Sequence, residues 1–382
     1  VVLALAIIVG LFFGLSRFIT DLMWYGQLGF QSVVWTQLGV KIGLWVAYAL
    51  LMALTGFVSA WLAIRARPDS ADGSTIRING DVVEVGKSVS SKTARRVAVV
   101  ISLIVGVIFG SQFNANWSEI LLMFNAQSFG TTDPQFGLDN GFYVFVLPGL
   151  KLVLAAVAML LGVGLVFSVV THVLMGGIRI TMPVNGRGLF SITKRCRRQL
   201  GIWLMLNMFA WAVRQMIGVF DQLTVQGSRI TGASYTAVHA NIPVTFIMAA
   251  LTAILGVVLG IWLMRSHTLE GQASIGVRAS AALKAWRVPV TSIAVVVVVG
   301  LVLTVAWPVL LQRFRVNPNA QEMESTYIQR NIDATRAAYG LDKLKTEQYK
   351  VTDKGEQGAL AKEGDTTAQI RLLDPQVVSP TF

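Results

Sequence analysis

Charged residues are scarce in this sequence, and that scarcity decides the class of protein. Only 14% of the 382 residues are Asp, Glu, Lys or Arg, whereas 54% are hydrophobic. A soluble domain carries about 25% charged residues, and neither a disordered chain nor a coiled coil tolerates so much apolar surface. A water-soluble protein is therefore excluded, and the composition predicts an integral membrane protein.

Stretches with no charge at all distinguish membrane helices from barrel strands. They extend for 23 residues over 42–64, 22 over 97–118, 27 over 152–178 and 25 over 288–312. A transmembrane helix needs about 20 apolar residues, whereas a barrel strand needs only about 10 with alternating polarity. The sequence thus predicts an all-α polytopic membrane protein.

Seven apolar segments can be placed, and they predict a seven-helix transmembrane domain over residues 1–312. The predicted spans are about 1–25, 38–64, 96–115, 146–175, 199–222, 243–264 and 289–312. Residues 313–382 hold ten basic and ten acidic residues and predict the start of a soluble extracytoplasmic domain, with a helix over 321–339 that Gly340 ends. Because the chain begins inside an apolar run and stops in a polar region, we expect it to be part of a longer protein.

Basic residues are almost absent from alternate loops, which predicts the orientation. The loops after the second, fourth and sixth spans contain 17 Lys and Arg, whereas those after the first, third and fifth contain one, Arg229. The positive-inside rule places the basic loops in the cytoplasm. The N-terminus is then cytoplasmic, and the region after the seventh span is extracytoplasmic. Positive charge beside membrane spans has this topological meaning, so we predict no nucleic-acid partner.

The predicted cytoplasmic side carries signals for local strand structure. Strand-like residues 74–78 and 82–85 flank Asn79-Gly80-Asp81, a turn sequence that favours a two-strand hairpin. Residues 178–181 are also strand-like. We therefore expect a β-hairpin within a small cytoplasmic sheet.

Cysteine, histidine and catalytic motifs are few or missing. The single cysteine, Cys196, excludes an internal disulfide framework, and the sequence has no Walker loop, nucleotide fingerprint, HExxH or CxxC pattern. The histidines His172, His239 and His267 fall in separate segments, two predicted inside and one outside, so they cannot share a metal. We therefore predict that the chain is not an enzyme and holds no metal or cofactor.

Ionisable residues inside the predicted spans are rare, and each costs about 2.5–3.5 kcal/mol at the bilayer centre. Arg17 and Asp21 are four apart on one face of the first helix and are expected to pair. Arg214 lies deep in the fifth helix, seven residues before Asp221, so both are expected to face the bundle. Two interpretations stay open for Arg214. It bonds helix carbonyls or a carboxylate and fixes the packing, or it lines a conduction or substrate path.

Two predicted outer loops carry further candidate residues. Asp133 and Asp139 bracket a loop rich in turn-forming residues, where either a cation site or turn formation explains the carboxylates. His239 lies in the loop 232–243, together with Ser234 and Tyr235. That loop is interpreted as a packed link between helices, and its side chains are candidate contacts to the following domain.

Three segments on the predicted outer side resemble a known family. They are DPQFGLDNGFYVFVLP (133–148), GASYTAVHANIP (232–243), and FRVNPN (314–319) with YIQRNI (327–332) and TRAAYGL (335–341). The chain resembles Uncharacterised Protein Family 0182, large membrane proteins of actinobacteria, cyanobacteria and some other bacteria. The resemblance spans nearly the whole chain and implies seven helices followed by a large extracytoplasmic domain, but no particular activity. Ala237 stands where the family pattern has Asp, which argues against Asp–His chemistry in that loop.

Three hypotheses for the function follow. In the first, a non-enzymatic protein of the bacterial plasma membrane anchors an outer domain that handles or scaffolds an envelope component; its partners are the lipid bilayer and other envelope membrane proteins or a second copy. In the second, a transporter or channel has its path near Arg214 and Asp221. In the third, a membrane enzyme has its active site in the domain that follows. The first is favoured because mid-membrane polar residues are few and no acid, base or metal ligands converge.

Overall fold

The protein is predominantly helical. The computed structural model describes residues 2–67, 74–78, 81–85, 90–180, 190–226, 231–266 and 275–348, together with Gly358 and Gly364. The chain divides into two compact units, Val1–Asn331 and Ile332–Phe382.

Long helices account for most of the described residues. The α-helices are α1 (Val2–Gln27), α2 (Gln31–Arg65), α3 (Ser91–Phe113), α4 (Trp117–Phe124), α5 (Leu147–Leu174), α6 (Lys194–Gly218), α7 (Ile242–Arg265), α8 (Ile275–Leu301), α9 (Trp307–Leu311) and α10 (Ala320–Ala338). Short 3-10 helices cover Asn114–Asn116, Val219–Leu223 and Leu341–Lys343. The predicted helix over 321–339 agrees with α10, and Gly340 follows it with a φ of 66°, a left-handed conformation that glycine adopts without strain.

Among the described residues, six helical segments are long and apolar enough to cross a membrane. They are Gln31–Arg65, Ser91–Phe124, Phe142–Leu174, Lys194–Leu223, Ala237–Arg265 and Trp286–Val316. These segments include the second to seventh predicted spans, because each span follows a long charge-free or charge-poor run. The first predicted span coincides with α1, which is not one of the six; α1 packs mainly on α2.

The long apolar helices form an open row. The most extensive packing joins α3 to α2, α2 to α5, α5 to α6, α6 to α7, and α7 to α8. At the crossing of α6 and α7, two glycines face each other: a Cβ on Gly201 would lie 2.8 Å from the carbonyl oxygen of Gly260. Small residues let membrane helices approach closely in this way. One side of most helices stays exposed and apolar, as expected for a surface that meets lipid.

In the part of the chain that the structure describes, four π-helical segments interrupt the α-helices, and each precedes a proline. They are Phe142–Val146, Ala237–Asn241, Val302–Ala306 and Gln312–Val316, and they end two residues before Pro148, Pro243, Pro308 and Pro318. Proline lacks an N–H group, and its ring presses on the carbonyl four residues earlier. A wide turn, in which an N–H bonds the carbonyl five residues earlier, relieves that clash: the N–H of Leu147, for example, bonds the oxygen of Phe142.

One polar chain ties three helices together near the C-terminus of α2. The Gln199 Nε2 group donates to the carbonyl oxygen of Ser59 at 2.9 Å, so its Oε1 atom is left as an acceptor. His172 Nε2 lies 2.9 Å from that Oε1 and therefore acts as the donor. Both Ser59 and His172 are fully buried, so the bonds link α2, α5 and α6 inside the bundle.

Two pairs of short strands lie among the described residues. Strand β1 (Ser74–Ile78) pairs antiparallel with β2 (Asp81–Val85), in a register that opposes Ser74 to Val85. Asp81 therefore begins a strand rather than belonging to the turn; Asn79 and Gly80 lie outside the described residues. Strand β3 (Ile178–Ile180) pairs with β4 (Phe190–Ile192), which the sequence did not indicate, and forms a separate pair instead of extending the hairpin. Closing a short connection between two strands costs less conformational entropy than closing a long one, which favours the pairing of β3 with β4 over pairing with the distant hairpin.

Candidate functional site

The loop 125–141 is built around the buried carboxylate of Asp133. This carboxylate accepts backbone N–H bonds from Gln135 at 2.8 Å, Phe136 at 2.7 Å and Leu138 at 2.9 Å. The hydroxyl of Tyr143 donates a fourth bond at 2.8 Å. Burial by itself raises the pKa of Asp133, but these hydrogen bonds, that of Phe136 foremost, outweigh it and leave the pKa below its usual value.

Asp139 organises the start of the same loop in a similar way. Its carboxylate accepts bonds from the Ser128 hydroxyl at 2.5 Å and from the backbone N–H groups of Phe129, Gly130 and Gly141 at 2.7–3.0 Å. The Ser128 bond and then those of Phe129 and Gly141 lower the pKa of Asp139 to about 2. Both aspartates are thus bonded by backbone N–H groups of their own loop and by a nearby hydroxyl, which favours turn formation over a cation site.

An aromatic cluster packs this loop against the end of α6. Phe220 is its centre: its ring lies 5.0 Å from that of Phe136, 5.3 Å from that of Phe142 and 6.3 Å from that of Tyr143, all edge-on. Edge-to-face contacts of this kind are each worth about 0.5–1.5 kcal/mol. The loop is therefore a packed element with a defined conformation.

A second cluster surrounds His239, within the π segment Ala237–Asn241. The imidazole stacks on the ring of Tyr235, with the centroids 4.0 Å apart, and the ring of Tyr327 stands edge-on to both. His239 Nδ1 lies 3.1 Å from the carbonyl oxygen of Tyr235 and 3.4 Å from the hydroxyl of Tyr327. Nδ1 either donates to the carbonyl or accepts from the hydroxyl, so the tautomer decides which bond forms. His239 itself remains exposed.

Residues 320–331 of α10 bind to both loops. The buried carboxylate of Glu324 accepts the backbone N–H of Tyr235 at 3.0 Å. Arg330 donates to Gln135 Oε1 at 3.3 Å, and Asn331 Nδ2 donates to the carbonyl oxygen of Thr231 at 2.8 Å. We call the loop 125–141, the segment 231–241 and residues 312–331 together the junction.

The π segment before α10 belongs to the junction as well. The Thr236 hydroxyl donates to Gln312 Oε1 at 2.5 Å, and Gln312 Nε2 donates to Asn317 Oδ1 at 2.9 Å. The guanidinium of Arg315 lies 5.8 Å from the ring centroid of Tyr235. Burial raises the pKa of Tyr327; Arg330 opposes that change, whereas Glu324 adds to it.

The ionisable residues predicted inside the spans lie elsewhere. Asp221 binds Lys151 at 2.8 Å, a pairing that the sequence interpretation missed because it assigned Lys151 to the membrane boundary. Arg214 is exposed on α6, and no hydrogen bond or ion pair joins it to a described residue. Among the described residues no contact brings Arg214 and Asp221 together; Asp221 pairs instead with Lys151 of α5.

Arg17 and Asp21 are both exposed on α1, and within the described residues no ion pair joins them. The expected pairing is thus not formed. An ion pair between residues four apart on a helix is weaker when the acidic residue follows the basic one than when it precedes it.

Comparisons with known proteins complete this description. The profile of a family described as Uncharacterised protein family (UPF0182) matches residues 1–382. A UPF0182 protein of Bifidobacterium adolescentis is 77% identical over 382 residues, which are 100% of this chain and 35% of the relative. Similar proteins of Kocuria rhizophila and Corynebacterium diphtheriae are 36% and 33% identical, over 100% and 95% of this chain and 36% and 35% of their own. The chain thus spans about a third of the length of these curated relatives. No solved structure matches it.

Proposed function

The chain belongs to the uncharacterised protein family UPF0182, and we propose that it is the membrane anchor of a bacterial envelope protein. In this proposal α1 is a seventh membrane span, the strand pairs and basic loops are cytoplasmic, and the junction is extracytoplasmic. The junction holds α10, from which the polar region of the chain continues into an outer domain. That domain handles or scaffolds an envelope component.

The observation that carries this proposal is the attachment of α10 to two separate loops. A helix that merely left the membrane would have a solvated polar face, whereas Glu324 is 7% exposed and bound to the backbone of Tyr235. Arg330 and Asn331 extend the attachment to a second loop and to a second point of the first. Three polar contacts and an aromatic one constrain the direction in which the chain leaves the spans, which is what an anchor for a folded domain requires.

The alternative of a transporter or channel receives less support. A path near Arg214 and Asp221 would need both residues to face a common space, but Asp221 is paired with Lys151 at 2.8 Å. The alternative of an enzyme with its site beyond residue 331 is compatible with an anchor and differs from it only in what the outer domain does.

Cysteine labelling in cells tests the proposal. Cys196 is fully buried, and Cys196→Ala removes it as a background for single cysteines. We expect Ser128→Cys and Thr326→Cys to react with a membrane-impermeant maleimide in intact cells, and Gly73→Cys to react only after permeabilisation. Labelling of Gly73→Cys in intact cells would overturn the orientation, and protection of Thr326→Cys alone would overturn the outer placement of α10.

A further inference from the structure

A basic groove lies between the C-terminus of α2 and the N-terminus of α6. Three arginines, Arg65, Arg195 and Arg198, line it together with Gln199, and the apolar side chains of Leu62 and Ile202 continue its wall. Its volume is about 360 Å³. We call this region the basic groove; it lies at the end of the bundle opposite to the junction, because α5 and α6 each run from one to the other.

The arginines of the basic groove are held in place, and no carboxylate among the described residues neutralises them. The guanidinium of Arg65 stacks 3.7 Å above the ring of Trp61, and Arg195 donates to the carbonyl oxygen of Arg65 at 3.5 Å. Within the described residues the ion pair that forms is Lys151–Asp221, far from this groove, and no carboxylate pairs with the three arginines. Three arginines without a carboxylate partner among the described residues thus border one shallow groove.

The position of Arg195 and Arg198 on their helix adds to this field. The N-terminus of a helix carries partial positive charge, which favours acidic residues there, yet the first turn of α6 has none. Arg195 and Arg198 instead increase the positive potential, at some loss of helix stability. Basic residues at a helix N-terminus, where acidic ones would stabilise the helix, are expected where the sequence serves binding.

An apolar track leads from the basic groove along both helices. On α2, Leu62, Val58 and Leu54 are exposed at intervals of one turn. On α6, Ile202, Leu206 and Phe209 are exposed in the same way. A free phosphate would make no use of this track, whereas a molecule with a phosphate head and hydrocarbon chains would cover both parts.

We propose that the basic groove binds the phosphate headgroup of an anionic phospholipid, whose acyl chains lie along the exposed apolar side chains of α2 and α6. Arginine forks bind phosphate oxygens in pairs, and basic pockets between membrane helices bind anionic headgroups. Gln199 is a positioning residue: its bonds to Ser59 and His172 fix the turn of α6 that carries Arg195 and Arg198. This inference needs only that α2 and α6 lie in a bilayer, so it stands or falls separately from the orientation.

Lipid titration of the purified intact protein tests this proposal. Phosphatidylglycerol and phosphatidylcholine with the same acyl chains are added to the delipidated protein in detergent, and bound lipid is counted by native mass spectrometry. We expect phosphatidylglycerol to bind at least about tenfold more tightly, and Arg195→Gln with Arg198→Gln to weaken it by about fivefold per arginine, the size expected for one basic residue beside an anionic lipid surface. Arg287→Gln is the matched control, because it removes an exposed arginine outside the groove.

Three outcomes would overturn the proposal. Equal binding of the two lipids would exclude headgroup recognition, and this comparison needs no variant, so it decides even if the double variant does not fold. An equal loss in Arg287→Gln would assign the effect to general surface charge. Displacement of the lipid by millimolar inorganic phosphate would identify a free-phosphate site instead.

Discussion

The two ends of the helical bundle differ in whether their charged side chains have partners among the described residues. At the junction, Asp133 and Asp139 are bonded by backbone N–H groups of their own loop and by a nearby hydroxyl, and Glu324 is bonded by the backbone of Tyr235. Three arginines border the basic groove, and none pairs with a carboxylate of the described residues. A charged side chain that is hydrogen-bonded within the protein stabilises the fold, whereas one without such a partner is available to bind a ligand. This contrast assigns structure to one end and binding to the other.

The sharpest way to break the comparison is Asp133→Ala. The substitution leaves three backbone N–H groups and the Tyr143 hydroxyl without their acceptor in a buried position. An unsatisfied buried group costs about 1–3 kcal/mol, so we expect the free energy of unfolding to fall by about 3 kcal/mol or more. Thermal unfolding of the purified protein measures it. Asp133→Asn keeps one acceptor oxygen and should lose clearly less; an equal loss in both variants would contradict the role assigned to the hydrogen bonds.

A smaller effect is expected from Glu324→Ala, which detaches α10 from the segment 231–241. The N–H of Tyr235 loses its partner, and the free energy of unfolding should fall by about 1–2 kcal/mol. Hydrogen exchange should become faster over residues 320–331. Glu324→Gln removes the same charge but keeps an acceptor oxygen for the N–H of Tyr235, and it should leave the exchange of this segment nearly unchanged. Faster exchange in both variants would indicate that charge, and not the contact, holds the helix.

The pH dependence of stability offers a third test at the junction. The pKa of Asp139 is about 2, below its usual value of about 4. A carboxylate with a lowered pKa contributes stability that is complete above the usual pKa and is lost as pH falls through the folded-state value. We therefore expect the melting temperature to decrease between about pH 4 and pH 2, and to decrease less in Asp139→Asn. Identical profiles for the two proteins would exclude Asp139 as a contributor.

The smallest change in the free energy of unfolding is expected at the basic groove, where a substitution should stabilise the protein instead of destabilising it. Arg198 follows Arg195 by three residues on α6, and like charges at this spacing destabilise a helix by about 0.2–0.5 kcal/mol. In detergent without anionic lipid, Arg198→Gln should therefore raise the free energy of unfolding by up to about 0.5 kcal/mol. A loss of stability would mean that Arg198 has a structural partner and would remove the contrast between the two ends.

The sequence predicted the spanning helices well but missed most contacts of the junction. Charge-free runs locate Gln31–Arg65 and Phe142–Leu174 because the bilayer imposes a length and a composition on each helix separately. The bond from Arg330 to Gln135 and the pair of Lys151 and Asp221 depend on how distant segments meet, and no periodicity encodes that. Considering each ionisable residue on its own therefore missed the partner of Asp221.

Glu324 shows why the centre of the junction was not predicted. An acidic residue on a helix of mixed polarity is typical of a solvated face, and nothing in its immediate sequence distinguishes Glu324 from Glu322. Its burial follows from the segment 231–241 folding over that turn of α10, which only the tertiary structure reveals. By contrast, the sequence offered turn formation as one of two explanations for Asp133 and Asp139, because Asp-Pro and Asp-Asn-Gly are local signals.

The π segments have a consequence for how the family's sequences can be aligned. An ordinary helix turns by 100° per residue, so one additional residue in a wide turn displaces every later position by about that angle around the axis. Removing one residue from Phe142–Val146 or Gln312–Val316 would restore the ordinary repeat but rotate the following helix and drive the proline ring into a carbonyl. Insertions and deletions of single residues should therefore be rejected at these four places, and helical wheels should be restarted after Pro148, Pro243, Pro308 and Pro318.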